Sequence, residues 1–292
     1  IEKARKYSQE FNVPYYEDYN TMLQKHSEID LVAIITPSGL HFHHAYDILT
    51  KYNKNLIIEK PTFLRIDHLN KCYQEAEQRK LKLFPVFQNR YNLAVQRVRN
   101  AVLNGELGAI KIASVRVRWC RTNSYYSLSE WRGTYALDGG ALTNQGIHHI
   151  DLLRYLCGEV TGVSAKMRTL AADIEVEDAV VGHLEFSSGA IGTLEITTAA
   201  RPSDFEASIS LVCEHGLAQI GGIAVNELQI FTPNPSDCSK FSEDFSSNVY
   251  GNGHSKMYEE IALASREAKK AGLAVVIWSY ARGEQISKEG ET

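Results

Sequence analysis

The chain has 292 residues, 44% hydrophobic and 23% charged, with a formal net charge of −4 and a pI near 6.2. At roughly 150 residues per domain this length suggests about two domains around a substantial core, the composition excludes a disordered chain, and the mild acidity excludes a global attraction to nucleic acid or anionic membrane. No run approaches the ~20 apolar residues of a spanning helix, and Cys72, Cys120, Cys157, Cys213 and Cys238 are scattered without metal-ligand spacing, which fits a reducing, cytoplasmic compartment.

The opening residues 1–11 place Ile1, Ala4, Tyr7 and Phe11 at helical spacing, and a second helical pattern, YEDYNTMLQKH, follows Val13-Pro14. DLVAIIT is short, β-branched and bounded by Pro37, Ser38 and Gly39, so it reads as a buried strand. A helix through HFHHAYDILTKY, a strand LIIEKP, a helix over 67–80 and a strand LKLFPVFQ follow. This alternation predicts a parallel, doubly wound α/β sheet. A helix over 92–104 leads into KIASVRVRW, whose alternation puts Val115, Val117 and Trp119 on one face and Ser114, Arg116 and Arg118 on the other. After a helix near 144–157, strands are expected at about 160–170, 179–187, 190–199, 207–214 and 217–221. Their short connections, Ser-Ser-Gly at 187–189 and Glu-His-Gly at 214–216, are too tight for parallel crossovers. The expected second region is therefore an α+β domain on a large, mostly antiparallel open sheet. Residues 233–253 read as a loop and 254–282 as a closing helix. The predicted organisation is a partial Rossmann domain over 1–90 and a substrate-binding, oligomerising domain over 91–292.

Ligands of open parallel sheets lie beyond the carboxyl ends of the strands. Two such ends are polar here, Thr36-Pro37-Ser38 and Glu59-Lys60-Pro61, so Lys60 points to where a nucleotide would lie. Downstream, D-G-G-A-L-T-N-Q-G-I-H-H-I-D spans residues 138–151, and a helix would align Asn144, His148 and Asp151 at i, i+4 and i+7. Imidazole is the side chain suited to exchange a proton near neutral pH. His149 points about a quarter-turn away and is expected as a hydrogen-bonded interior histidine. His41, His43 and His44 lack a nearby Cys or carboxylate at suitable spacing, so no metal site is expected.

E-K-P after a strand, followed by G-G-x-L-x-(D/N)-x-G-x-H-x-x-D, resembles the glucose–fructose oxidoreductase / inositol dehydrogenase (Gfo/Idh/MocA) family. Within it, FQNRYN (87–92), YYSLSEWRGTYALDGGALTNQGIHHIDLL (125–153) and TTAARPSDFEASISL (197–211) resemble the branch that oxidises UDP-N-acetylglucosaminuronate at C3. The resemblance implies NAD as cofactor, held by Thr36, Pro37, Ser38, His41, Glu59, Lys60, Pro61, Gln88, Trp131 and Arg132. It implies Lys60, His148 and Asn144 as the catalytic set, with His148 as general base and Lys60 stabilising the developing alkoxide. Asn144 stands where many relatives have Asp, so its expected role is orientation. The substrate, a nucleotide sugar with a diphosphate and a carboxylate, favours arginine forks. Its expected contacts are Lys60, Arg90, Tyr91, Arg121, Asn144, Gln145, His148 and Arg201. Relatives of this kind often form tetramers through the open sheet face, and some recycle the cofactor with 2-oxoglutarate. A transaminase acting on the 3-keto product would lead to diamino-uronic sugars of surface polysaccharide.

The chain departs from the pattern in two further places. The G-x-G-x-x-G loop and its following acidic residue are not in the sequence, and are expected in a strand–helix–strand of ~30 residues or more upstream of Ile1. EEIALASREAKKAG joins two helices where relatives have a loop, so a segment near Ala264–Ser265 is expected to be deleted or not represented. The rival readings are a dehydrogenase of the same family acting on inositol or a free sugar, and a nucleotide-binding sensor without turnover.

Overall fold

The computed structural model describes residues 2–245 and 251–270, with described side chains ending at Leu263. Helices α1 (Glu2–Phe11) and α2 (Tyr19–Lys25) precede strand β1 (Leu31–Ile34). Helix α3 (His41–Asp47), strand β2 (Asn55–Ile58), helix α4 (Ile66–Gln78) and strand β3 (Leu83–Pro85) complete a parallel sheet in the order β1-β2-β3. Apart from Asn55 at the start of β2, its strands are apolar because both faces are covered. Val32, Ile34, Leu56 and Ile58 face the helical layer that includes Ala45, Ile48 and Cys72. Leu31, Ile57 and Val86 face Met257 and Ile261 on the opposite side.

After helix α5 (Leu93–Leu103) comes strand β4 (Ile110–Arg118), then the short helix α6 (Asn123–Tyr126) and helix α7 (Ile147–Cys157). Strands β5 (Val160–Arg168), β6 (Ala179–Phe186), β7 (Ile191–Thr197), β8 (Glu206–Cys213), β9 (Leu217–Gly221) and β10 (Glu227–Phe231) follow. They join β4 in a seven-stranded sheet ordered β10-β9-β8-β4-β7-β6-β5, antiparallel except for the β4–β7 pair. One face packs Ala113, Val115, Val117, Ile196 and Ile209 against Val95, Val98 and Leu152 of α5 and α7. The other face exposes Ile112, Val181, Ile191 and Val212. Arg118 lies there too, paired with Glu195 at 2.6 Å and Glu206 at 2.9 Å.

Strand β10 has no counterpart in the sequence expectation. A register shift between Leu228 and Ile230 breaks its alternation, so Leu228 and Phe231 are buried while Ile230 is exposed. Residues 237–240, expected as loop, form the short helix α8 (Asp237–Lys240). Helix α9 (Gly253–Lys270) runs unbroken through Ala264–Ser265 and returns to the first sheet, where it supplies Met257 and Ile261. The part of the expected closing helix beyond Lys270 lies outside the described residues. Among the described residues no helix is long and apolar enough to cross a membrane.

Candidate active site

The turns after β1 and β2 are tied together by one side chain. His41 is buried, with Nδ1 2.8 Å from the Pro61 carbonyl oxygen and Nε2 2.8 Å from that of Thr36. Burial lowers its pKa, while the two carbonyls work in the opposite direction. Between these turns Gly39 donates its N–H to the Leu137 carbonyl at 3.0 Å. A Cβ at position 39 would lie 2.0 Å from the Ala136 carbonyl oxygen. Only glycine permits this approach, and it brings residues 136–138 of the second region against the Thr36-Pro37-Ser38 turn.

Lys60 is half-buried at the carboxyl end of β2, and its ammonium donates to the Asn144 backbone oxygen at 2.9 Å and to Asn144 Oδ1 at 3.0 Å. Glu59 accepts the Lys60 N–H at 3.1 Å and lies 3.5 Å from His254 Nε2 on α9. Gln88 is buried in the turn after β3, and its Oε1 has no hydrogen-bond partner among the described residues.

The expected helix over 144–157 starts later than its spacing suggests. Residues Ala141–Gln145 form a π turn closed by the Gly146 N–H on the Ala141 carbonyl at 2.8 Å, and the α-helix begins at Ile147. Asn144 is therefore not on the helix that carries His148 and Asp151. The turn is pinned at its start by Glu177, whose backbone oxygen accepts the Ala141 N–H at 2.9 Å and whose Oε1 accepts the Leu142 N–H at 2.9 Å. Gly140, at φ +73°, leaves room for that carboxylate, which a Cβ would meet at 2.1 Å. Burial raises the Glu177 carboxyl pKa against the pull of the Leu142 N–H.

Inside the turn, Asn144 Nδ2 donates to Asp138 Oδ1 in a short hydrogen bond, and Asp138 Oδ2 accepts the Gly133 N–H at 2.6 Å. Both side chains are buried. Desolvation raises the Asp138 pKa, offset by the Gly133 and Asn144 hydrogen bonds and by the Lys60 and Arg132 charges. His148 is buried with its ring edge-on to Phe87, centroids 6.2 Å apart. His149 is buried as expected but not hydrogen-bonded: neither ring nitrogen has a partner among the described residues. It meets the Trp119 ring edge-on at 5.6 Å, and burial brings its pKa down to about 4.

The arginines divide into two groups. Arg90 forms a two-pronged pair with Asp151, at 2.7 and 2.5 Å, so its fork is filled by the helix that carries His148. Next to it, the Tyr91 hydroxyl donates to Glu260 of α9 at 2.7 Å, and burial together with that bond raises its pKa to about 12. Arg121 and Arg201 adjoin each other, with Arg201 donating to the Arg121 carbonyl at 3.1 Å. Arg121 also pairs with Asp204 at 3.0 Å and lies over the Trp119 and Tyr125 rings. Tyr125 accepts from Gln145 Nε2 at 3.1 Å and carries Arg132 over its face at 4.4 Å, with Trp131 also under the Arg132 guanidinium at 5.2 Å. Lys60, Asn144, Gln145, Arg121, Arg132 and Arg201 thus fall along a connected series of contacts, while Arg90 and Tyr91 are held by other partners. Among the described residues no group of three His, Cys, Asp or Glu side chains is arranged to hold a metal.

Sequence reasoning gave no role to Asp138 or Glu177. Asp138 stands beside the Gly-Gly pair, and an acceptor-only residue six positions before Asn144 was the available signal. Glu177 reaches Leu142 from 35 residues away and carries no local signal.

Residues 1–87 match the model of an oxidoreductase family with an NAD-binding Rossmann fold, and residues 95–219 that of the GFO/IDH/MocA C-terminal domain. The WlbA dehydrogenase of Bordetella pertussis, crystallised with NADH and UDP-GlcNAcA, is 32% identical with a TM-score of 0.85, over 91% of this chain and 78% of that one. The chain belongs to the Gfo/Idh/MocA family. The WlbA dehydrogenase of Chromobacterium violaceum, also in complex with NADH and UDP-GlcNAcA, is 29% identical with a TM-score of 0.76, over 95% of this chain and 86% of that one. Among curated proteins, the D-glucoside 3-dehydrogenase of Escherichia coli K12 is 28% identical over 215 residues, 67% of this chain and 58% of the relative. The chain spans about half the length of the curated relatives it matches. The Gfo/Idh/MocA architecture, an NAD-binding Rossmann domain followed by an open, mostly antiparallel sheet, is the one the sequence implies.

The residues present fit a nicotinamide dinucleotide. His41 joins two strand-end turns of a parallel sheet where such ligands bind. Gln88 presents a buried acceptor that the described residues leave unused.

Proposed function

We propose that the protein is an NAD-dependent dehydrogenase that oxidises the C3 hydroxyl of UDP-N-acetyl-glucosaminuronate to the 3-keto sugar. The observation that carries this reading is the Lys60 ammonium fixed on Asn144, four residues before His148. The likeness to the two WlbA dehydrogenases supports the choice of substrate. Bound NAD would supply the hydride acceptor for the carbinol carbon. His148 takes the hydroxyl proton as general base. Lys60 donates to the same oxygen as charge develops on it, from a position its two Asn144 contacts preset. Thr36, Pro37, Ser38, His41, Glu59, Pro61, Gln88, Trp131 and Arg132 line the cofactor's side of the site.

Recognition of the anionic substrate falls mainly to Arg121 and Arg201, flanked by Gln145. The Arg201 guanidinium meets backbone carbonyls and the Cys120 sulfur, and no carboxylate among the described residues, so its charge is available to an anion. Arg90 and Tyr91 act by bracing α7 and α9 behind the site. In this reading residues 1–90 bind cofactor, and 91–292 bind substrate and assemble a homotetramer. The cofactor is recycled in the cytoplasm, with 2-oxoglutarate as oxidant, and the ketone is the substrate of an amination step toward surface-polysaccharide sugars.

The test is the nicotinamide absorbance of the full-length protein when UDP-N-acetyl-glucosaminuronate is added with NAD. A rise equal to the enzyme concentration supports the reading with retained cofactor, and continuous turnover supports it with exchange. Reduction by inositol or a simple sugar alone would overturn the substrate, and silence with every sugar would overturn the enzyme.

A further inference from the structure

Asn144 lies between two groups of opposite hydrogen-bonding character. The Lys60 ammonium can only donate, and Asp138, whose Oδ2 accepts the Gly133 N–H, presents Oδ1 to Asn144 as an acceptor. An amide has one end of each kind, so only one orientation satisfies both neighbours: Oδ1 toward Lys60 and Nδ2 toward Asp138. Asp138 cannot turn away, because its second oxygen holds the Gly133 N–H at 2.6 Å in a buried setting. We propose that Asp138 is a positioning residue of the reaction: through Asn144 it fixes which end of the amide faces Lys60, and so where the ammonium is held.

The inference rests on the dehydrogenase reading given above, and it separates polarity from charge. An amide at 138 keeps the Gly133 bond with its oxygen but leaves only its NH₂ group for Asn144. Asn144 must then turn its own NH₂ toward the ammonium. A carboxylate at 144 beside the native Asp138 sets two acceptors in contact, and one of them must take up a proton. Combining the two substitutions restores a donor at 138 facing an acceptor at 144, with the negative charge now directly on Lys60.

The experiment compares Asp138→Asn, Asn144→Asp and the double variant in the full-length protein, following nicotinamide reduction by UDP-N-acetyl-glucosaminuronate from pH 6 to 10. Each single variant is expected to lose about 10- to 100-fold in kcat, with NAD retained, and the double variant to recover most of that loss. The basic limb of its pH profile should move upward, because a carboxylate on Lys60 favours the protonated ammonium. Two merely structural lesions would instead compound, leaving the double variant slower than either single one. That outcome overturns the inference, as does wild-type kcat in Asp138→Asn. Failure of the wild-type protein to reduce NAD with any sugar would count against the dehydrogenase reading instead. Thermal melts of all three variants show which losses are losses of fold.

Discussion

Removing a proton from a secondary alcohol needs a base that is neutral and held still, and His148, buried edge-on against Phe87, meets the second requirement by packing. Loss of a general base costs about 10²–10⁴-fold in rate. His148→Ala is expected to lower single-turnover reduction by that range while cofactor stays bound, and a fall below tenfold would remove the assignment. Its neighbour His149 makes a separate, thermodynamic prediction. Its folded pKa is depressed from 6.5 to about 4 by burial. Its contribution to stability is therefore complete above pH 6.5 and shrinks as pH falls toward 4, because the unfolded chain binds a proton that the folded one refuses. The loss across that window is about 3 kcal/mol. His149→Leu should abolish that part of the acid sensitivity, read as urea midpoints of wild type and variant at pH 4.5 and 7. Equal acid losses in the two proteins would contradict it. At neutral pH the variant should be at least as stable, since an orphaned buried N–H costs about 1–3 kcal/mol.

The π turn shows why local periodicity located His148 better than Asn144. From sequence, 144–157 looks like one helix, because i, i+4 spacing continues across Gly146. Tertiary contacts decide otherwise: a Cβ at Gly146 would come within 2.5 Å of Ile196, and Glu177 captures the first N–H groups of the turn from another strand connection. Parallel strands, by contrast, were legible because burial on both faces writes a continuous apolar run, as in Leu56, Ile57 and Ile58. The partners of Arg90 and Tyr91 were not legible, since Asp151 lies 61 residues from Arg90 and Glu260 lies 169 from Tyr91. Strand β10 was hidden by its own bulge. The turn itself is testable at Gly140, where φ is +73° and the Glu177 carboxylate occupies the place of a Cβ. Gly140→Ala is expected to cost about 1–3 kcal/mol in a chemical melt and to lower kcat by displacing Asn144. An unchanged melt would mean that the turn tolerates a different start.

At the scale of the molecule, the seven-stranded sheet leaves Ile112, Val181, Ile191 and Val212 exposed on the face away from α5 and α7, with the Arg118–Glu195–Glu206 ion pairs among them. An apolar sheet face rimmed by satisfied charges suits burial against another copy of the chain. Val181→Lys with Ile191→Lys should shift the species seen by light scattering from the proposed tetramer to smaller forms. Retained nicotinamide reduction in those forms would place the complete site within one protomer, and an unchanged mass would rule out this face as the interface.

Lys60 comes from the parallel-sheet region and Asn144 with Asp138 from the region of the seven-stranded sheet. The two regions are therefore not freely exchangeable cassettes. A chimera that joins this amino-terminal region to a related carboxyl-terminal region with Asp at the 144 position inherits a different charge count beside the lysine. Shuffling experiments on these proteins should move positions 60, 138 and 144 as a linked set, because a crossover between them can yield a chain that folds and binds cofactor yet carries its lysine in the wrong electrostatic setting.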